Sequence, residues 1–263
     1  SIKQIKRNIL NIKDSDIAKN SCIIHLAAIT DVAYCEKYPE ECYRVNVMAT
    51  QKILEIARKK NCSLIYPSTS HVYAIPHKLP IKETHPINPN SVYSQSKISA
   101  EKLCEAYSKS YGLDITVLRL FSVYGPRSSE HKVESSIITQ LLSNRTVKIG
   151  NLYPKRDFIY KDDAIRAFQI AIKNLKNFNI YNIGSERSYP IQEIYNILKK
   201  LSGKKNPVIR QRTKIRKNDV KNVVSDCSKI KKLGWKPEIS INEGLELTLN
   251  WHIAKKLEST ESK

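Results

Sequence analysis

The chain has 263 residues, enough to bury a large core, and 41% of them are hydrophobic, a globular balance and not a disordered one. Its net charge of +20 raises encounter with anions such as nucleic acid, anionic membrane or phosphorylated metabolites. The lysines are dispersed, with no arginine-rich arm, zinc-ligand spacing or aromatic-basic box, so no nucleic-acid partner and no metal are expected; no apolar run approaches the ~20 residues of a membrane span, so no membrane partner is expected either.

The chain starts at Ser1, shows no secretory start, and has Met48 as its single methionine, the marks of a trimmed, processed or partial chain. Six cysteines (Cys22, Cys35, Cys42, Cys62, Cys104 and Cys227) form no CxxC pair. Cys22, Cys62 and Cys104 stand in apolar or helical contexts that suit reduced core thiols, and the set reads as a reducing, cytoplasmic setting.

In chain order, "CIIHLAA" (22–28) is an almost wholly apolar run, as a buried parallel strand would be. A helical pattern covers 39–59, with Cys42, Val45, Ala49, Ile53 and Ile56 on one face. "SLIYPS" (63–68) predicts a second buried strand, 76–90 is a loop with four prolines, 91–111 a long helix, and "DITVLRLF" (114–121) a third strand. This alternation predicts a doubly wound α/β sheet. After "VYGPR" (123–127) the texture changes. Short strands such as "TVKIG" and "FNIYNIG" alternate with helices near 133–143, 162–174, 190–202 and 241–258, which predicts a smaller mixed α/β lobe. The division is 1–126 and 127–263, with some later segments returning to the first part. The first glycine is Gly112. A dinucleotide-binding first turn needs glycines for backbone to approach a pyrophosphate, so the sequence is expected to begin partway through such a fold, without its first βαβ portion.

"SVYSQSK" (91–97) puts Tyr93 and Lys97 four apart on a helix, hence on one face. A phenol is a poor base at neutral pH, and a nearby ammonium lowers its pKa. Such a pair can move a proton to or from a sugar hydroxyl or ketone. "PSTSHVY" (67–73), directly after the second strand, offers a hydroxyl for the same oxygen.

With these residues the chain resembles the extended short-chain dehydrogenase/reductases of the NAD-dependent epimerase/dehydratase family. "HLAA" (25–28), "VNVMAT" (45–50), "STSHVY" (68–73), "SVYSQSK", "LRLFSVYGPR" (118–127), "RDFIYKDDA" (156–164) and "LGWKPEISINEGL" (233–245) are similar to the family's segments in the right order. The resemblance implies a Rossmann-like fold with a C-terminal substrate lobe, NAD as cofactor with NADP not excluded, a nucleotide-diphosphate sugar as substrate, and a homodimer. It makes Thr69, Tyr93 and Lys97 the catalytic triad. It places Leu26, Ala27, Ala28 and Asn46 at the cofactor along with Tyr93 and Lys97, and Asn11 of "NILNIKD" (8–14), in a strand, near the adenine. It gives substrate contacts to Thr69, Ser122, Arg156 and Arg216 of "RKND" (216–219); guanidinium forks suit phosphate oxygens. Ser122 stands where many relatives carry asparagine.

His71, two residues after Thr69, replaces the glutamate of a dehydratase Thr-Asp-Glu triplet. An imidazole there is either an acid/base or a lining residue. His77, His85, His131 and His252 belong to no constellation, and Tyr73 reads as packing. The implied reaction is a nucleotide-sugar 4-epimerisation through transient C4 oxidation. A keto-sugar reductase or dehydratase of the same family stays open, as does an inactive fragment or an anion- or nucleic-acid-binding protein.

Overall fold

The computed structural model describes residues 4–211 and 220–261. After two single 3-10 turns at Ile9–Asn11 and Asp14–Asp16, the chain forms β1 (Cys22–Ile24), α1 (Val32–Lys37), α2 (Pro39–Tyr43), a π-helical turn at Arg44–Met48, and α3 (Ala49–Lys60). Then come β2 (Ser63–Thr69), α4 (Val92–Tyr111), β3 (Ile115–Leu120) and β4 (Ser122–Tyr124). The second half adds α5 (Val133–Leu142), β5 (Val147–Ile149), β6 (Lys155–Tyr160), α6 (Lys161–Lys173), β7 (Phe178–Ile183), β8 (Ser188–Pro190), α7 (Ile191–Ser202), β9 (Val208–Arg210), α8 (Ser228–Lys231) and α9 (Ile241–Glu261).

The main sheet is parallel, in the order β1-β2-β3-β7. Side chains alternate across its strands. Leu64, Tyr66, Ile115 and Val117 face Ile53, Leu54, Ala100 and Cys104 of α3 and α4, while Ile65, Leu118, Tyr181 and Ile183 face Ala167 and Ala171 of α6 and Trp235. Helices on both faces make this the doubly wound α/β sheet that the apolar runs predict. A second core gathers Tyr124, Phe158 and Tyr160 with Ile137, Ile138 and Leu141 of α5, Ile194 and Leu198 of α7, and Leu245 and Leu249 of α9.

Local chemistry fixes the long helix α4. Ser91 Oγ accepts from the Ser94 amide at 3.1 Å and Ser94 Oγ accepts from the Ser91 amide at 3.1 Å, a reciprocal cap that satisfies two otherwise orphaned donors. The helix ends on Gly112 at φ +69°, the left-handed residue that terminates a helix without a Cβ penalty.

Four expectations need correction. The apolar run 22–28 yields a strand of three residues only, on the outer edge of the sheet. Cys22 is therefore exposed, not a core thiol. Residues 8–14 form no strand: Asn8 Oδ1 accepts from the Leu10 amide at 2.9 Å and bends the chain into a 3-10 turn, with Asn11 exposed. "FNIYNIG" does not belong with the small strands of the second half, because β7 pairs with β3 along its whole length and completes the main sheet. The helix expected over 39–59 is interrupted by the π turn, which swings Asn46 inward between Cys42 and Ala49.

Candidate active site

Parallel strands end at a common edge, and loops and helix starts at that edge carry the candidate side chains. Thr69 is the last residue of β2, level with Leu120 of β3. Its Oγ1 accepts from the His71 amide at 3.2 Å and so caps the 3-10 turn Ser70–Val72. Tyr93 lies in the first turn of α4, buried, with the Thr69 side chain near enough to draw its pKa down. The His71 ring meets the Tyr93 ring edge-on, with centroids 6.2 Å apart. Thr69, His71 and Tyr93 are thus brought together.

Lys97, one turn further along α4, is 3% exposed. Its Nζ lies 4.2 Å from the centroid of the Tyr66 ring, and its charge acts on His25. Burial pushes Tyr93 up to about 12, Thr69 draws it back, and Lys97 is not among the groups that act on it. Burial brings Lys97 down to about 8, with Glu101 holding it up. At neutral pH Tyr93 is a neutral phenol and Lys97 is mostly charged.

The loop after β1 forms one wall. His25 is buried while Leu26 is 65% exposed, Ala27 is exposed and Ala28 half-buried. Thr50 spends its single hydroxyl proton on the Asn46 carbonyl at 2.8 Å, so the 3.0 Å contact between His25 and Thr50 has Nε2 of His25 as donor. Burial and then Lys97 hold His25 down at about 4, so its imidazole is neutral.

Asn46, expected to touch the cofactor, spends its side chain internally. Oδ1 accepts from the Ile29 amide at 2.8 Å, and Nδ2 donates to the Ile29 carbonyl at 2.9 Å and to Ser96 Oγ at 2.9 Å. Ser96 in turn donates to the Tyr93 carbonyl at 2.7 Å. Asn46 therefore clamps the wall formed by residues 26–29 onto α4 beside Tyr93.

The remaining candidates lie on β4 and β6, which pair with each other. Ser122 opens β4 opposite Phe158 of β6, half-buried. Arg156 in β6 donates from NH1 to the Val220 carbonyl at 2.6 Å. Its neighbour Asp157 is not its ion partner. That carboxylate is buried and accepts from Ser185 and Ser225. Arg216 lies outside the described residues. Asn11 is far along the chain from this edge, in the turn whose Leu10 carbonyl accepts from Lys52 Nζ at 2.8 Å.

Sequence reasoning missed Glu101 and Arg119. Arg119 donates to Glu101 from Nε at 3.1 and 3.2 Å and from NH2 at 2.7 Å, both side chains under 5% exposed. Two signals were present: Glu101 is four residues after Lys97, hence on the same helix face, and Arg119 is the charge inside the apolar run "ITVLRLF".

A family profile described as GDP-mannose 4,6 dehydratase matches residues 12–248. The chain belongs to the NAD-dependent epimerase/dehydratase family of extended short-chain dehydrogenase/reductases. This epimerase/dehydratase chain is 37% identical over 238 residues to a UDP-glucuronate 4-epimerase of Thermodesulfobacterium geofontis, covering 88% of this chain and 72% of that protein. Among solved structures it is similar to the UDP-glucuronic acid 4-epimerase of Bacillus cereus in complex with UDP-glucuronic acid and NAD, with a TM-score of 0.87 and 32% identity over 96% of this chain and 81% of that one. It is also similar to the UDP-glucose 4-epimerase of Thermotoga maritima with UDP-glucose, with a TM-score of 0.82 and 31% identity over 90% and 78% of the two chains.

The residues of this family member fit one half of a dinucleotide. An open shelf of Leu26, Ala27 and Ala28, a phenol and a buried lysine suit a nicotinamide ribose. The backbone cradle for a pyrophosphate needs glycines, and residues 1–111 contain none. No helix among the described residues is long and apolar enough to cross a membrane.

Proposed function

We propose that this chain is an NAD-dependent epimerase of UDP-sugars that inverts C4, with Thr69, Tyr93 and Lys97 as its catalytic residues. The observation that supports this most is the placing of Thr69, at the end of β2, beside the buried phenol of Tyr93, with Lys97 one turn further along the same helix. The names of its relatives supply the substrate class.

NAD, when bound, supplies the acceptor and donor of hydride. Once its own phenolic proton has passed to solvent, Tyr93 takes the proton of the sugar's 4-hydroxyl at its phenolate oxygen and returns it after the keto-sugar has turned over. Thr69 holds the same oxygen. Lys97 holds the positive charge that favours the phenolate, and for this its ammonium must leave the Tyr66 face for the phenol. Leu26, Ala27 and Ala28 line the cofactor's nicotinamide side, and Asn46 acts by holding that wall. Ser122, together with Arg156 and Arg216 of the part we assign mainly to the substrate (127–263), is assigned to the nucleotide diphosphate, the arginines as forks for its oxygens. His71 stands at the sugar's edge as a lining residue. The homodimer and the cytoplasmic setting belong to the same proposal.

The test is a 4-epimerase assay of the protein with UDP-glucose and UDP-glucuronic acid in the presence of NAD, read by NMR of the sugar product. We expect interconversion at C4 without net consumption of the nucleotide cofactor. Stoichiometric oxidation of NADH would instead favour a keto-sugar reductase. Tyr93→Phe should lower kcat by about 10²–10⁴-fold while the fold, checked by circular dichroism, persists. Full turnover in Tyr93→Phe would overturn the triad.

A further inference from the structure

Lys97 has an aromatic ring where a buried ammonium ordinarily has oxygen acceptors. Among the described residues its Nζ makes no hydrogen bond and no ion pair, although the residue is buried. Glu101, the acid one turn further along α4, is taken by Arg119. The contact that Lys97 does make is with the face of Tyr66, 4.2 Å from Nζ to the ring centroid. An ammonium is drawn to the negative face of a ring, and most strongly where water is excluded. Tyr66 is 1% exposed, and its hydroxyl has no hydrogen-bond partner. The phenol's polar tip is thus idle, and the face of the ring meets the charge. Tyr66 stands three residues before Thr69 on β2, about 10 Å along the strand. The seat of the ammonium is therefore set back from the strand end beside which Tyr93 lies.

We propose that Tyr66 is a positioning residue for Lys97: the face of its ring is the seat that holds the ammonium, charged and within the site, in the free chain. The part it plays in turnover rests on the reading of Lys97 as a member of the triad. A buried ammonium with nothing to answer its charge gives up its proton. A ring face answers the charge without an oxygen acceptor. Charge-assisted hydrogen bonds to oxygen are stronger, so the seat keeps the ammonium in the site and still yields it to oxygens that a ligand brings. A carboxylate in the same place would hold it as an ion pair. A tyrosine present only for packing would need its volume and not its face, and Lys97 would not respond to the loss of the ring.

The experiment is NMR of the protein labelled with carbon-13 at the lysine ε position, with the Lys97 resonance assigned from its loss in Lys97→Arg. Protons over a ring face are shielded, so the Lys97 ε protons should lie upfield of those of the exposed lysines. Tyr66→Phe keeps the face and should keep that position. Tyr66→Leu removes the face. It should return the resonance toward the exposed lysines and lower the titration midpoint of Lys97 by about half to one and a half pH units. The other ionisable groups that act on Lys97 or are acted on by it are His25 at the end of β1, Cys42 of α2, and Glu101 and Cys104 of α4, and both variants retain them all. A wild-type resonance among the exposed lysines overturns the proposal. So does an upfield position that survives Tyr66→Leu, or a midpoint there at or above that of the wild type. If Tyr66→Leu does not fold, the wild-type position and its retention in Tyr66→Phe decide. Turnover of Lys97→Met separates the two readings. Full activity there defeats the triad assignment whatever the spectra show. Loss of activity there, with a Lys97 resonance that ignores the ring, defeats only the role of Tyr66.

Discussion

The molecule has two cores of opposite character. Around the main sheet, toward the carboxyl ends of β1, β2 and β3, polar groups are packed into the interior: His25, Asn46, Thr50, Thr69, Ser96, Lys97, Glu101 and Arg119 are all buried. Nearly all of them answer one another through hydrogen bonds or charge. The second core, under α5, α7 and α9, is a plain assembly of aliphatic and aromatic side chains. Its edge holds Glu134, a buried carboxyl whose Oε1 has no hydrogen-bond partner. Burial of charge costs several kcal/mol per ion unless partners are present. The first core carries that cost around the residues proposed as catalytic, and the second is built mainly from packing. Experiments that disturb each core in its own terms should therefore give different signatures.

The largest effect is expected from splitting the ion pair of the first core. Glu101→Ala leaves Arg119 as a buried cation without its anion, and should cost about 3–5 kcal/mol in urea unfolding. The double change Glu101→Leu with Arg119→Met removes one charge of each sign and should cost less than Glu101→Ala alone. A double variant that costs the sum of the two singles would show that the charges are not coupled.

Acid and base should then separate the two cores. His25 titrates near 4 in the folded chain against 6.5 when unfolded, so the unfolded state binds more protons between those values. Its contribution is present above pH 6.5 and lost as pH falls toward 4. Glu134 is the reverse. Burial raises it from 4.5 to about 7, so its contribution is present below pH 4.5 and lost as pH rises through 7. Each shift corresponds to about 3 kcal/mol at most. In urea titrations, His25→Gln should reduce the loss of stability between pH 7 and 4.5. Glu134→Gln, a neutral isostere, should be more stable than the wild type at pH 8 and close to it at pH 4.5. If Glu134→Gln shows the same difference at both pH values, Glu134 is not buried as a neutral acid.

The sequence made some of this legible and hid the rest for physical reasons. The sheet could be read because apolar runs such as 64–66 and 115–118 belong to strands covered on both faces. Tyr93 and Thr69 could be read because one lies in a helix start and the other at a strand end, both set by local pattern. Local pattern does not tell which sheet a strand joins, so the pairing of β7 with β3 is visible only in the structure. It does not reveal a π turn either, so the inward aim of Asn46, and its use on the Ile29 backbone, could not be seen. The place of Lys97 against Tyr66 depends on contacts between α4 and β2, which no spacing within the helix specifies. β1 shows the converse: its apolar residues suit a covered strand, and the edge position leaves Ile24 and Leu26 exposed.

The smallest expected effect tests the packing of the second core. Gly244 lies within α9, where glycine ordinarily costs about 1 kcal/mol relative to alanine. A Cβ added there would stand 2.1 Å from the Tyr124 hydroxyl oxygen, 2.8 Å from the carbon that bears it, and 2.9 Å from Cδ2 of Tyr160. Both rings are buried among α5, β6 and α9 and have little room to withdraw. Overpacking should thus outweigh the gain in helix propensity, and Gly244→Ala should cost about 1–3 kcal/mol. Tyr124→Phe added to it removes the nearest atom but not the ring carbon behind, and should restore part of the loss, because the Tyr124 hydroxyl makes only a 3.5 Å contact with the Ile241 carbonyl. This pattern of clash and partial relief comes from shape and not from Glu134, and should be the same at pH 4.5 and pH 8. A stabilising Gly244→Ala would mean that α9 can move off the aromatic pair, and that the second core is looser than its contacts imply.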